Sequence, residues 1–86
     1  MERELIEGIA IIQRSKCKEI VLRSLNNGIK MPSKISKETE ISIHHVSRYL
    51  KQLKEKHLVI CLNEDYKQGR LYEITDLGKE VLKYIE

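Results

Sequence analysis

The sequence predicts a small, mostly helical α+β domain. Three observations carry that prediction. Apolar residues recur every three or four positions from Glu2 to His57, the period shortens to β-type alternation between Leu58 and Thr75, and helical spacing returns up to Ile85.

The first segment, Glu2 to Gln13, holds Leu5, Ile6, Ile9, Ala10 and Ile12 at helical spacing around Gly8. A glycine costs a helix about 1 kcal/mol relative to alanine, so a short helix that can break at Gly8 is expected. Its apolar residues exceed what a first helix needs against so small a core, which points to contact with a second subunit. Ser15 can cap a second helix with Cys17, Ile20, Val21 and Leu25 on one face, and Asn26, Asn27 and Gly28 stop it. Residues 28–31 are too short for a helix and read as an extended connector with at most one bridge. Pro32 has the fixed φ and missing amide suited to a first helical position, so a helix of about two turns begins there and ends near Thr39.

Residues 40–42 then form a connection of three residues, the length of a helix-turn-helix turn. Ser42 can cap the following helix, about 43–56, in which Val46, Leu50, Leu53 and His57 make one apolar stripe. At 100° per residue, His44, Arg48 and Lys51 project from the opposite side, flanked by His45 and Ser47. The two helices must cross steeply and share Ile35, Ile41, Val46 and Leu50, with Tyr49 also assigned to the core. Leu58 to Leu62 and Arg70 to Thr75 pair as a hairpin around a polar loop, and Gly69 supplies the positive φ such a loop commonly requires. Leu71 and Glu73 face one side of the second strand, Tyr72 and Ile74 the other. Thr75 or Asp76 caps a last helix whose Leu77, Val81, Leu82, Tyr84 and Ile85 form a band wide enough to close the core and touch a partner.

A length of 86 residues gives one domain, 1–86, near the size at which a single core becomes marginal. Homodimerisation through the N-terminal and/or C-terminal helices is therefore expected. With 41% apolar and 34% charged residues the chain is too hydrophobic for a disordered segment and too charged for a membrane protein. It has no apolar run of about 18 residues and no basic start with an apolar core, so it is expected to stay in the cytoplasm, with no membrane partner. Cys17 and Cys61 lie far apart among apolar residues, which suits two reduced, buried thiols.

The net charge of +3 is segregated. From Arg14 to Lys56 there are 11 Lys or Arg against 4 Glu, and the remainder carries 5 against 9 acids. A basic middle between acidic ends favours a polyanion bound by the middle, although a mixed-charge thermostable surface has the same pattern. The helix at 43–56 taken alone is more often an ordinary amphipathic surface helix whose charges solvate it. Its neighbours decide the matter.

The segment at 41–53, Ile-Ser-Ile-His-His-Val-Ser-Arg-Tyr-Leu-Lys-Gln-Leu, resembles the recognition-helix pattern of MarR-like and ArsR-like repressors and their small archaeal or bacterial relatives. Residues 54–59 resemble the exit into the wing of such proteins, 69–81 the wing return and start of the final helix, and 14–25 the first helix of the archaeal versions. The similarity covers about Arg14 to Leu82. It departs at Glu40, where the family often has Gly, and at Ser36, where a small Ala is usual. The resemblance implies a winged helix-turn-helix: a three-helix core, a two-stranded β-hairpin wing, a C-terminal helix and an extra N-terminal helical segment.

It further implies sequence-specific binding of double-stranded DNA by a transcriptional regulator, with the helix from Ser42 in the major groove. Arg48 can fork onto guanine or pair with phosphate; His44, His45 and Ser47 suit base edges or phosphate, Lys51 suits the backbone, and Ser42 at the helix start is counted with them as a DNA-binding residue. Ser33, Lys34 and Lys37 would approach phosphates near a helix N-terminus, and Lys67, Gln68 and Arg70 would carry the wing to the neighbouring backbone or minor groove. The competing reading is a winged-helix adaptor that binds protein and no DNA. An enzyme is not expected, because no phosphate loop, nucleophile with base or convergent carboxylate pair occurs. His44, His45, His57, Cys17 and Cys61 lack the spacing that preforms a metal site, so no metal or other cofactor is expected.

Overall fold

The computed structural model describes residues 2–86. Five helices and one small sheet follow in the order α1 (Arg3–Gln13), α2 (Lys16–Leu25), α3 (Pro32–Thr39), α4 (Ile43–Glu55), β1 (Val59–Cys61), β2 (Tyr72–Ile74) and α5 (Asp76–Tyr84). The strands are antiparallel, with Val59 opposite Ile74, Ile60 opposite Glu73 and Cys61 opposite Tyr72. Lys30 adds one isolated bridge to Tyr72, so the connector after α2 lies along the sheet edge. No helix among the described residues is long and apolar enough to cross a membrane.

Helix starts are fixed by side chains of the expected kind. Ser15 accepts the amide of Lys18 at 3.3 Å, Ser42 that of His45 at 3.4 Å, and Thr75 that of Gly78 at 3.0 Å. Each hydroxyl satisfies one amide that the first turn leaves free. Pro32 opens α3, where its missing amide is no loss. Thr75 does more than cap: its hydroxyl donates to the His57 carbonyl at 2.7 Å, tying the start of α5 to the entry of β1.

One contiguous core draws on every element. Val21, Leu22 and Leu25 of α2, Ile35 of α3 and Val46, Leu50 and Leu53 of α4 are fully buried, and Leu58, Val59 and Val81 close them from the sheet and α5. Leu5 and Ile12 join from α1. Burying each such side chain stabilises the fold by roughly 1.5–3 kcal/mol, so α1 and α5 are integral to the core. Leu22, three residues before Leu25, is buried beside Val21 on the α2 face, whereas Cys17 and Ile20, expected there, are half-buried.

Four expectations are corrected. Helix α1 runs unbroken through Gly8, because a side chain there would meet Val81 Cγ2 at 2.9 Å and Leu58 Cδ2 at 3.0 Å; the glycine permits the helix to approach α5. His57 is not the last member of the apolar stripe. It lies beyond α4, exposed, with φ of 63°. Its amide bonds the Lys54 carbonyl at 3.0 Å and that of Leu58 the Leu53 carbonyl at 3.0 Å, which is a Schellman closure with His57 in the left-handed position. Tyr49 is only half-buried at the edge of the core. Cys17 and Cys61 are both free but half-buried rather than enclosed.

Ion pairs lash the elements together. Lys56 meets Glu7 at 3.1 Å across α4 and α1, Arg23 meets Glu19 at 2.9 Å within α2, and the nearly enclosed Lys30 ammonium meets Glu38 at 2.6 Å while also donating to the Ser24 carbonyl at 2.6 Å. Hydrogen bonds from Lys56, Arg23 and Lys30 respectively hold Glu7, Glu19 and Glu38 below the ordinary carboxylate value of 4.5. Carboxylates with lowered folded values stabilise the protein above the unfolded value and lose that contribution as pH falls through the folded ones. The melting temperature should be nearly flat from about pH 7 to about pH 5 and fall below about pH 4.5, less steeply in Glu38→Gln; circular dichroism melts across that range check it.

Gly78 stands in the first turn of α5, where a methyl group would overlap the Leu58 carbonyl oxygen and sit 2.7 Å from Ile74 Cγ1. Although alanine is the better helix former, backbone cannot yield as a flexible side chain does. Gly78→Ala should therefore destabilise the fold by about 1–3 kcal/mol, seen as a lower midpoint in urea unfolding.

Candidate nucleic-acid interface

The outward surfaces of α3, α4 and the loop 62–71 meet on one side of the molecule, and the turn between α3 and α4 sets their mutual angle. Glu40 adopts φ 62°, ψ 16°, the left-handed conformation that glycine takes freely. Two hydroxyls fasten the turn around it: Ser36 donates to the Ile41 carbonyl at 2.6 Å, and Thr39 donates to the Ile35 carbonyl at 2.7 Å while accepting the Ile41 amide at 3.3 Å. The two departures at 36 and 40 thus belong to one turn. An alanine at 36 could not bind Ile41, and the hydroxyl offsets strain that Glu40 introduces. The Glu40 side chain is exposed.

From this turn α4 leaves with Val46, Leu50 and Leu53 inward and His44, His45, Ser47, Arg48 and Lys51 exposed. Ser42 Oγ also lies 3.0 Å from His45 Nδ1, so the capping residue touches one of the outward side chains. Between the start of α3, one flank of α4 and the wing loop lies a cleft of about 610 Å³. Ser33, Ser47, Lys51, Lys67, Gln68 and Arg70 line it together, with Met31, Pro32, Ile43 and Tyr72 as its apolar floor. Six of the twelve expected site residues are therefore brought to one cavity. His44, His45 and Arg48 face outward beside it, and Lys34 and Lys37 are exposed on α3 without lining it.

Lys37 is in the last turn of α3, remote from the free amides of its first turn, so only Ser33 and Lys34 are near the positive end of that helix. Lys34 lies 3.9 Å from Glu38, which dilutes its charge. Lys54 is a lining residue that sequence reasoning missed, although its position seven residues after Ser47 and three after Lys51 puts it on the same flank of α4.

The wing loop is ordered by its own polar groups. Asn63 accepts the Leu71 amide at 2.8 Å and donates to the Gly69 carbonyl at 3.1 Å, while Gly69 takes φ 69° as expected for the turn. The Arg70 guanidinium folds back on the loop, donating to the carbonyls of Tyr66 at 2.6 Å and Glu64 at 3.3 Å. Glu64 pairs with Lys54, pinning the loop to α4. Their hydrogen bond holds the Glu64 carboxyl below and the Lys54 ammonium above its ordinary value.

Among the described residues, Lys37, Arg48, Lys51 and Lys67 have no carboxylate within salt-bridge distance, whereas Lys30, Lys34, Lys54 and Lys56 do. The outward face can therefore donate hydrogen bonds and attract anions over its first three turns, until Glu55 closes α4. No group of three His, Cys, Asp or Glu side chains that could hold a metal ion occurs among the described residues.

Glycine at position 40 would relieve the left-handed strain and add only unfolded-state entropy. Glu40→Gly should raise stability by up to about 1 kcal/mol, read as a higher midpoint in thermal melts, with α3 and α4 unchanged in circular dichroism.

Comparison with known proteins places this geometry. Residues 13–86 match the family described as winged helix-turn-helix. The chain is similar to a cysteine-to-serine variant of MarR from E. coli complexed with operator DNA, at 24% identity over 95% of this chain and 60% of that one, with a TM-score of 0.74. It is also similar to a ZitR variant from Lactococcus lactis, at 25% identity over 83% of this chain and 49% of that one (TM-score 0.71). The adhesin competence repressor AdcR of Streptococcus pyogenes matches at 18% identity over 93% and 63%, with a TM-score of 0.72. The chain thus spans about half to three fifths of the length of these solved proteins. No curated protein matches the sequence. The family match covers all but the first twelve residues and the fold agrees with it throughout, so the chain belongs to the winged helix-turn-helix family and has the fold of its MarR-like regulators.

Proposed function

We propose that this chain, as one domain over 1–86, is a transcriptional regulator that binds double-stranded DNA in the cytoplasm. Helix α4 lies in the major groove and the loop 63–70 on the adjacent backbone or minor groove. The observation that carries the reading is the distribution of unpaired cations: Arg48, Lys51 and Lys67 stand free of carboxylates around one cleft and one helix face. A major groove about 12 Å wide admits a helix, and only there are all four base pairs distinguishable. Arg48, His44, His45 and Ser47 are assigned to base edges or phosphate, and Lys51, Lys37, Lys34, Ser33 and Ser42 to the backbone around them. Lys67, Gln68 and Arg70 form the wing contact, with Arg70 acting chiefly by ordering the loop that presents the other two.

A MarR variant of the same fold was solved on operator DNA, which supports the docking by analogy. Dimerisation belongs to the same reading. Helices α1 and α5 pack on each other, Ile6 of α1 and Tyr84 of α5 are exposed, and Ile85 is half-buried. In this reading a second copy packs on these two helices and its α4 serves a second half-site.

Selection of duplexes from a random pool, followed by salt titration of the winner, tests the proposal. The expected outcome is a site with two half-sites about one helical turn apart and an affinity that falls steeply with salt. Arg48→Ala should weaken the selected duplex by about 1–3 kcal/mol and relax preference at one base pair, whereas Lys51→Ala should weaken all duplexes alike and flatten the salt slope by about one. A protein that binds no duplex at low salt is the adaptor instead.

A further inference from the structure

Tyr49 stands at the seam between the core and the outward face of α4. Its ring is half-buried against the core cluster, while its neighbours His45 and Arg48 are exposed. The Arg48 guanidinium carbon lies over that ring, 5.4 Å from its centroid. The His45 imidazole is stacked on it at a centroid separation of 6.2 Å and an interplanar angle of 22°. At its other edge His45 is held by Ser42, whose hydroxyl is 3.0 Å from Nδ1 and accepts the His45 amide. One ring anchored in the core therefore touches two of the outward side chains, and the helix cap restrains one of them from the opposite end.

An exposed arginine samples many rotamers, and a ligand that needs one of them must pay for the loss of the rest. A cation drawn to an aromatic face is already restricted before the ligand arrives. We propose that Tyr49 is a positioning residue of the interface: its ring holds Arg48 and His45 in the arrangement they present to DNA, so that the two act as a coupled pair. This role rests on the DNA-binding reading above. A merely structural Tyr49 would need bulk and apolarity, which leucine and methionine supply. A positioning Tyr49 needs an aromatic face, which phenylalanine supplies.

The test compares Tyr49→Phe, Tyr49→Leu and Tyr49→Met in the full chain, with the melting temperature of each measured; methionine replaces leucine should leucine disturb folding. In the free protein, the Arg48 δ-methylene resonances should be displaced by the ring current in wild type and Tyr49→Phe, and move toward unstructured values in the ring-free variants. Identical Arg48 resonances in all four proteins overturn the proposal. On the selected duplex at fixed salt, Tyr49→Phe should bind within about twofold of wild type and the ring-free variants about 3- to 10-fold more weakly, a loss that shrinks to none when Arg48→Ala and His45→Ala are already present. An undiminished loss in that background, or Tyr49→Phe as weak as Tyr49→Leu, also overturns it. Failure of the two readings is distinguishable. Wild type that binds no duplex removes the DNA reading and this role with it, whereas tight wild-type binding matched by Tyr49→Leu removes the positioning alone.

Discussion

The left-handed turn at Glu40 is the constraint on which the outward face of this domain depends. Only with that residue at positive φ can α4 leave α3 after three residues and still deliver Val46 and Leu50 to the core that Ile35 has entered. Once those three side chains are buried, the helical period leaves no freedom in where His44, Arg48 and Lys51 point. A looser connection would bury the same apolar area but would not fix the azimuth of α4. The hydroxyls of Ser36 and Thr39 thus shape the candidate interface as the cations do, although neither needs to touch a ligand.

Electrostatics divides the basic middle of the sequence into two populations. Lys30 and Lys56 pair with carboxylates that join elements, Glu38 tying α3 to the sheet-edge connector and Glu7 tying α1 to α4, while Arg23 pairs with Glu19 inside α2. An exposed pair such as Lys56 with Glu7 contributes little stability, and all three pairs keep their cations from the outward face. Among the described residues, Arg14, Lys18, Lys37, Arg48 and Lys51 of that segment have no such partner, nor does Lys67 of the wing loop. A polyanion therefore meets charge that need not be stripped from a protein carboxylate first, whereas Lys54 would have to leave Glu64.

Much of the fold was legible because local signals and the global period agree. Ser15, Ser42 and Thr75 cap where the pattern changes, Pro32 starts α3, and Gly69 turns the wing. The failures share a cause in tertiary approach. His57 fell on the apolar stripe by spacing, but the chain must leave α4 there to place Leu58 over Leu53, and a histidine tolerates the left-handed position better than most residues. Gly8 read as a weak point because its purpose, the nearness of Val81 and Leu58, lies more than forty residues away. In the candidate site, the outer face of α4 followed from 100° arithmetic, while the cleft did not, since it needs α3 and the wing loop to meet. Arg70 shows the limit most clearly. Its charge was visible in the sequence, but its engagement with two loop carbonyls was not.

The wing is tied to its surroundings by contacts beyond the hairpin itself. Lys30 bridges Tyr72 through the backbone while its ammonium reaches Ser24 and Glu38, so the strand edge, the end of α2 and α3 share one residue. Glu64 fastens the loop to Lys54, Asn63 closes it on itself, and the Thr75 hydroxyl returns the second strand to the His57 carbonyl at the end of α4. A short two-stranded hairpin is marginal in isolation, and here it is tied at the start of its loop, its edge and its base. Lys51 on α4 and Lys67 and Gln68 on the loop so tied line one cleft. An anionic ligand entering that cleft would meet groups on two elements already tied to each other, which lowers the ordering cost of binding both.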